Sequence, residues 1–345
     1  MEMPRLNYRF IYFNENYLRF GKVDKNEYNA ICLRDAEKLP CVKVVSCPLE
    51  DYPRVFRIIF RKLNYIRINE RIKKPFKRIL YPYVFKDKND GNKPYCFIIA
   101  RGDLPIDYFD YLKDKYSGCK IVKIHRDLVR LIHRKSGYSE ESMNRIFDLR
   151  LSYDQGDAEK YKMIHFDEIE SMIDVKRDTN YPISDVFFAG IAKDRLPKVL
   201  TAYKIFTDAG LKCDFYITGV SKKDQKQGKG IKYGKRILPY NEMLYRTVNS
   251  RCMLDINQEG ADGYTSRILE AIMYNKKIIL DNQSVKSCKY YNPKYMQVVT
   301  DMKQINPAFV REEIQVDYHY EGDFSPIYLI EKIDVELRKK FDVPS

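Results

Sequence analysis

Asp262, Gly263, Tyr264, Thr265, Ser266, Arg267 and Glu270 fall within one nine-residue stretch, DGYTSRILE. Asp262 and Gly263 supply turn chemistry, and Thr265 or Ser266 can cap the amino end of a helix. The N–H groups at such an end can hold a diphosphate. Glu270, inside that helix, is a carboxylate able to accept hydrogen bonds from a vicinal diol such as a ribose, the part acidic residues play in dinucleotide folds. Asp262 and Glu270 lie eight positions apart, with a phosphate-sized gap between them. The same residues also read as a capped helix with an exposed glutamate, which requires no ligand.

The flanking residues say how such a site is held. An apolar run at 252–256 reads as a strand. Ile268, Leu269 and Ile272 recur at helical spacing, Lys276 and Lys277 close the helix at its negative end, and 278–280 form the next buried strand. Strand, glycine-bearing loop, helix and strand make half of a nucleotide-binding unit.

A second apolar strand, 185–190, ends in Gly190 and is followed by Lys193 and Arg195. A glycine lets backbone approach a ligand, and the cations could neutralise a departing diphosphate. Alternatively they decorate a helix at 196–209 whose core face is Leu200, Tyr203, Ile205 and Phe206. Residues 213–218 read as a strand and the lysine- and glycine-rich 221–235 as a surface loop; no Walker-type phosphate loop occurs anywhere. Asn241 can cap the helix that follows Ile237, Leu238 and Tyr240, 297–300 read as a strand, and an amphipathic helix lies within 324–341.

In the first half, strands are expected at 8–13, 42–45, 95–100 and 120–124, with helices at 26–39 and 108–116. Arg101-Gly102-Asp103 reads as a loop at a strand's carboxyl end. His125 and Asp127 directly follow another strand, as a polar strand end, a helix cap or part of a site. Residues 145–163 read as strand, Asx turn at Asp154 and short helix. Alternating strands and helices throughout make the chain α/β.

At 345 residues the chain is long enough for two domains. Lys and Arg number 62 against 48 Asp and Glu, so the net charge of +14 calls for an anionic partner: nucleic acid, an acidic membrane surface or a phosphorylated substrate. The bias is steepest at 54–78, where Arg57, Arg61, Lys62, Arg67, Arg71, Lys73 and Lys74 alternate with apolar residues and Glu70 is the one acid. Such a segment suits an anionic membrane, a polyanionic acceptor or RNA, or is a solvated helix face packed on its domain. No run is long enough to span a membrane, and the first residues lack a signal-peptide core, so a cytoplasmic protein is expected. The eight cysteines show no metal-ligand spacing and read as reduced core residues.

The pattern Asp262-Gly263-x-Thr265-x-Arg267-x-x-Glu270 resembles the donor-site signature of bacterial GT-B glycosyltransferases, those of the retaining group that build capsule, lipopolysaccharide and exopolysaccharide. That family usually has Glu at the first position, where this chain has Asp262. The resemblance covers roughly residues 95–310 and is most specific at 262–282. It implies two Rossmann-like domains facing across a cleft: an acceptor-side domain at 1–166, a linker at 167–183, a donor-binding domain at 184–323, and a helix at 324–345 crossing back to the first.

It further implies a nucleotide-sugar donor held by Gly190, Lys193, Ile237, Leu238, Tyr240, Gly263, Tyr264, Thr265, Ser266, Arg267 and Glu270. His125, Asp127, Arg195 and Asp262 would act on the transferred sugar, the attacking hydroxyl or the leaving group. The acceptor would be a glycan or polyprenol-linked saccharide, with the basic segment on the inner face of the membrane and nucleic acid not expected as a partner. No Asp-x-Asp triplet is present, and no cofactor or metal is expected. Rival readings are a polyol-phosphate transferase, a basic nucleic-acid-binding protein, and a non-catalytic relative of the family.

Overall fold

A computed structural model of the protein describes residues 4–14, 17–19, 22–24, 27–45, 49, 52–63, 77–87, 93–100, 104–130, 139–260 and 263–341. The strand segments of both halves are apolar on both faces, which requires helices above and below a parallel sheet. In Tyr95–Ile99, for example, Phe97 and Ile99 enter one core cluster while Cys96 and Ile98 enter another. The chain divides into two compact units, Met1–Ser171 with Ser325–Ser345, and Met172–Phe324.

The first unit holds β1 (Arg9–Phe13), a short antiparallel pair β2 (Tyr17–Arg19) and β3 (Lys22–Asp24), β4 (Val42–Val45), β5 (Tyr95–Ile99), β6 (Lys120–His125), β7 (Leu149–Ser152) and β8 (Ile164–His165). Its parallel sheet has the order β4-β1-β5-β6-β7-β8. Helices α1 (Glu27–Cys32), α2 (Arg54–Leu63), α3 (Ile106–Lys115), α4 (Glu140–Ile146) and α5 (Gln155–Lys160) connect the strands. As the Asx-turn reading requires, the Asp154 side chain accepts from the Asp157 N–H at 2.9 Å and starts α5.

The second unit contains β9 (Ser184–Ile191), α6 (Leu196–Asp208), β10 (Cys213–Thr218), β11 (Ile231–Gly234), α7 (Tyr240–Asn249), β12 (Ser250–Asp255), α8 (Ser266–Met273), β13 (Lys277–Leu280), β14 (Met296–Val298) and α9 (Pro307–Arg311). Its sheet order is β11-β10-β9-β12-β13-β14, all parallel. The chain builds outward from β9 in one direction, then returns to β9 and builds outward in the other. The topological switch point therefore lies between β9 and β12, and ligands of such sheets sit beyond the carboxyl ends of the strands there. The last helix, α10 (Pro326–Phe341), buries Leu329, Ile330, Ile333 and Leu337 in the first unit's core.

Several local readings change. Residues 221–235 are more than a loop, because β11 adds an edge strand to β10. The glycines there answer crowding: a Cβ on Gly230, at φ +81°, would lie 2.0 Å from the Cys213 carbonyl oxygen, and one on Gly234 would lie 1.9 Å from the Tyr216 hydroxyl. The fully buried face of α6 is Val199, Ala202 and Phe206, with Leu200, Tyr203 and Ile205 packed at its margins. Pro239, not Asn241, occupies the N-cap of α7, and its ring offers the first turn no hydrogen-bond acceptor.

The segment read as a linker is shared between the units. Ile169 and Ser171 bond to Cys32 and Asp35 in the first, while Ile173 and Asp178 bond to Tyr274 and Asn249 in the second.

Candidate functional site

The carboxyl ends of β9, β12 and β13 gather one set of polar residues at the switch point. Asp255, the last residue of β12, is buried and accepts from the Thr265 hydroxyl at 2.6 Å and from Arg267 Nε at 2.8 Å. Arg267 also donates through Nη1 to the Ala189 carbonyl at 3.1 Å, tying α8 to the end of β9. Thr265 takes the N-cap position with extended backbone, yet its side chain does not cap the helix because the hydroxyl is turned to Asp255. The first turn of α8 is therefore not closed by a threonine or serine cap, and its dipole faces the strand ends.

Glu270 stands in the second turn of α8. The reading of an exposed glutamate fails, because the residue is 0% exposed and both carboxylate oxygens lack a hydrogen-bond partner among the described residues. All of α8 from Ile268 to Met273 is buried, so the helix is covered on every side and not on one apolar stripe. Burial pushes the Glu270 carboxyl up to about 8; Arg267 opposes the shift and the charge of Asp255 adds to it. A buried carboxyl group normally has hydrogen-bond partners, and among the described residues neither Glu270 oxygen has one.

Arg195 lies at the end of a 3-10 turn, Lys193–Arg195, ahead of α6 and not inside it. It is 7% exposed and its guanidinium donates to the carbonyls of Ile191 and Ile256, locking the ends of β9 and β12 together. Burial and the nearby Arg267 lower its pKa, leaving a cation beside the site. Gly190 is small for this arginine's sake: a Cβ there would meet Arg195 Nη2 at 3.2 Å and the Phe188 ring at 3.4 Å. Lys193 is exposed, with a left-handed φ of 45°. Leu238 packs on Phe187 and Ala189, Tyr240 is buried, and Ile237 projects into solvent at 56% exposure.

The loop between β12 and α8 is pinned by residues that pattern reading did not select. Asp194 accepts from the Glu259 N–H at 3.0 Å, Asp281 from the Asn257 N–H at 2.8 Å, and Asn282 donates to the Gly263 carbonyl at 3.1 Å. Asp255, Asp281 and Asn282 all directly end or follow strands, and that placement is the signal that could have found them. Gly263 is buried; Tyr264 and Ser266 are half-buried. Asp262 lies outside the described residues.

In the first unit, His125 ends β6 fully buried, and its carbonyl accepts from the Tyr153 N–H at 3.1 Å. Asp127 is half-buried and accepts from the Leu128 N–H at 3.0 Å. Between them sits Arg126, which the sequence did not single out. Its buried guanidinium bonds Glu168 Oε1 at 2.8 Å and the Tyr28 hydroxyl at 3.1 Å, a partnered ion pair that shapes this strand end.

Of the basic stretch, α2 packs through Phe56 and Phe60, leaving Val55 and Ile59 exposed at 68% and 46%, with Arg57 half-buried and Lys62 exposed. The side chain of Arg61, and all of Arg67, Arg71, Lys73, Lys74 and the 101–103 loop, lie outside the described residues. Among the described residues no helix is long and apolar enough to cross a membrane.

No family model and no curated protein matches the chain by sequence. Solved structures do match. A trehalose-6-phosphate synthase is 10% identical with TM-score 0.52, covering 96% of this chain and 99% of its own. A protein from Listeria monocytogenes described as a UDP-N-acetylglucosamine 2-epimerase is 8% identical with TM-score 0.52, covering 98% of each chain. An alpha-glucosyltransferase in complex with UDP-glucose and DNA is 11% identical at TM-score 0.49, covering 96% of this chain and 93% of its own. With its two six-stranded parallel sheets, the chain has the α/β GT-B fold.

Proposed function

We propose that the protein transfers a glycosyl group from a nucleoside-diphosphate sugar to a glycan or polyprenol-linked acceptor in bacterial surface polysaccharide synthesis. The single observation that carries this reading is Glu270, buried, unpartnered among the described residues, and set in a helix whose amino end faces the switch point of the second unit's sheet. A ribose diol would give that carboxylate the two donors it lacks. The diphosphate would then lie against the amino end of α8, with backbone from Gly263, Tyr264, Thr265 and Ser266 around it. The base would rest near Ile237, Leu238 and Tyr240.

In the transfer, an acceptor hydroxyl oxygen bonds the anomeric carbon as that carbon's bond to the diphosphate oxygen breaks. The bonding pair leaves on the nucleoside diphosphate, and the hydroxyl proton leaves with it. Charge builds on the departing phosphate, and Arg267, Arg195, Lys193 and the helix dipole would oppose it. This protein-borne positive charge is the reason to expect metal-independent turnover. Retention of configuration, a sugar contact by Asp262 and acceptor contacts by His125 and Asp127 rest on the family pattern. The exposed Val55 and Ile59 among cations on α2 support peripheral attachment to an anionic inner membrane face.

The test is a thermal-shift screen of nucleoside diphosphates and nucleotide sugars, followed by mass spectrometry of products with UDP-sugars first. A midpoint rise with one nucleotide class that disappears in Glu270→Ala, and a glycosylated product formed equally in EDTA, would support the reading. Epimerised donor without transfer, or stabilisation undiminished in the variant, would defeat it.

A further inference from the structure

At the amino ends of β12 and β13, the sheet edge opposite the Glu270 site, the second unit contains a hollow of about 490 Å³. Helix α8 separates the two places: its amino end faces the Glu270 site, and the turn after its carboxyl end lines the hollow, roughly 12 Å away along the helix. Four cations border the hollow, Arg177, Arg251, Lys276 and Lys277, against two carboxylates, Glu312 and Glu313.

Their hydrogen bonds do not neutralise them. Lys276 Nζ donates to the Val248 and Ser250 carbonyls at 2.6 and 2.9 Å, which fixes the ammonium at the wall and leaves it one further proton. Lys277 Nζ donates to the carbonyls of Phe309 and Glu312. Arg177 is exposed and makes no hydrogen bond or ion pair among the described residues, while Arg251 meets Asp185 only at 3.5 Å. The like charges act on one another: burial and then Arg177 push Lys276 down to about 8, while Lys277 is lowered by burial with a smaller part from Arg251. Cations held this close repel, and an anion placed among them relieves the repulsion.

We infer that this hollow is a second ligand site, distinct from the Glu270 site, that takes a phosphate-bearing small molecule. Even with Asp185 beside Arg251, four cations against Glu312 and Glu313 leave a net positive charge that suits an anionic phosphate. Guanidinium forks suit phosphate oxygens bidentately, and the fixed ammonium adds a third donor. The volume exceeds that of a bare phosphate and falls in the range of small-molecule sites, so a phosphate ester fits better than the free ion.

The experiment is calorimetric titration of the full chain with glucose 1-phosphate and, separately, inorganic pyrophosphate, each without UDP and again with UDP in excess. One of the probes is expected to bind at one site per chain, weakening as salt is raised. The Arg177→Ala/Arg251→Ala double variant, both side chains being exposed, should melt as the parent does yet bind roughly tenfold or more weakly. Glu270→Ala should bind the probe as the parent does, so a failure of the nucleotide-sugar reading would leave this result standing. Absence of heat with both probes, or binding undiminished in the double variant or displaced by UDP, overturns the inference.

Discussion

Replacing Glu270 by glutamine should make the protein more stable while removing donor binding. The side chains are nearly isosteric, so the change chiefly deletes a charge from a site with no exposure. Burial raises the carboxyl from 4.5 to about 8, so the folded chain holds this proton more tightly than the unfolded chain does. Stability from that proton is fully present below the unfolded value and is lost as pH rises through the folded one.

Complete ionisation would cost about 5 kcal/mol by the ordinary conversion of a pKa shift. Near pH 7 most folded molecules keep the proton, and linkage leaves a loss of roughly 3 kcal/mol relative to a neutral side chain. In a unit of this size that is roughly 6–12 °C in melting midpoint. Parent and Glu270→Gln would be melted side by side at about pH 5 and about pH 8, with and without UDP. The variant's advantage should be small at the lower pH and large at the higher, and UDP should raise only the parent's midpoint. An advantage that does not change with pH, or a variant less stable at the higher pH, would refute the argument from an unpartnered buried carboxylate.

Three further outcomes are expected. Asp255→Asn keeps the shape of the β12 end but weakens the acceptor of Thr265 and Arg267; it should cost about 1–3 kcal/mol in urea unfolding and lower kcat/KM for the donor. Because a ribose diol donates to the ionised carboxylate, UDP affinity measured by calorimetry should rise with pH up to about 8, with proton release on binding below that value. Gly230→Ala meets both a left-handed backbone and the Cys213 carbonyl at 2.0 Å, so it should destabilise by about 2 kcal/mol or more and leave the Glu270 site's chemistry unchanged in the folded fraction.

Much of the frame was legible from pattern. The runs at 42–45, 95–100, 120–124 and 213–218 became β4, β5, β6 and β10 within a residue or so, because a strand buried on both faces must be continuously apolar. The helix at 266–273 was legible for a related reason, its turn residues and apolar spacing agreeing on one start. The edge strand β11 was hidden by its lysines and glycines, since an exposed edge tolerates polar residues and its glycines serve contacts with Cys213 and Tyr216 that lie far off in sequence.

By itself, then, the sequence determined the α/β alternation, the excess of positive charge and the local order of turn, helix and carboxylate around Glu270, all properties of neighbours along the chain. Only tertiary structure decided that Glu270 is buried without a partner, that Thr265 turns to Asp255 instead of capping its helix, that Arg195 is bound to the carbonyls of two strands, and that Arg177 and Lys276 share a hollow. Solvation and hydrogen bonding depend on which distant segments arrive at the same place, and sheet order, not residue type, sets those arrivals.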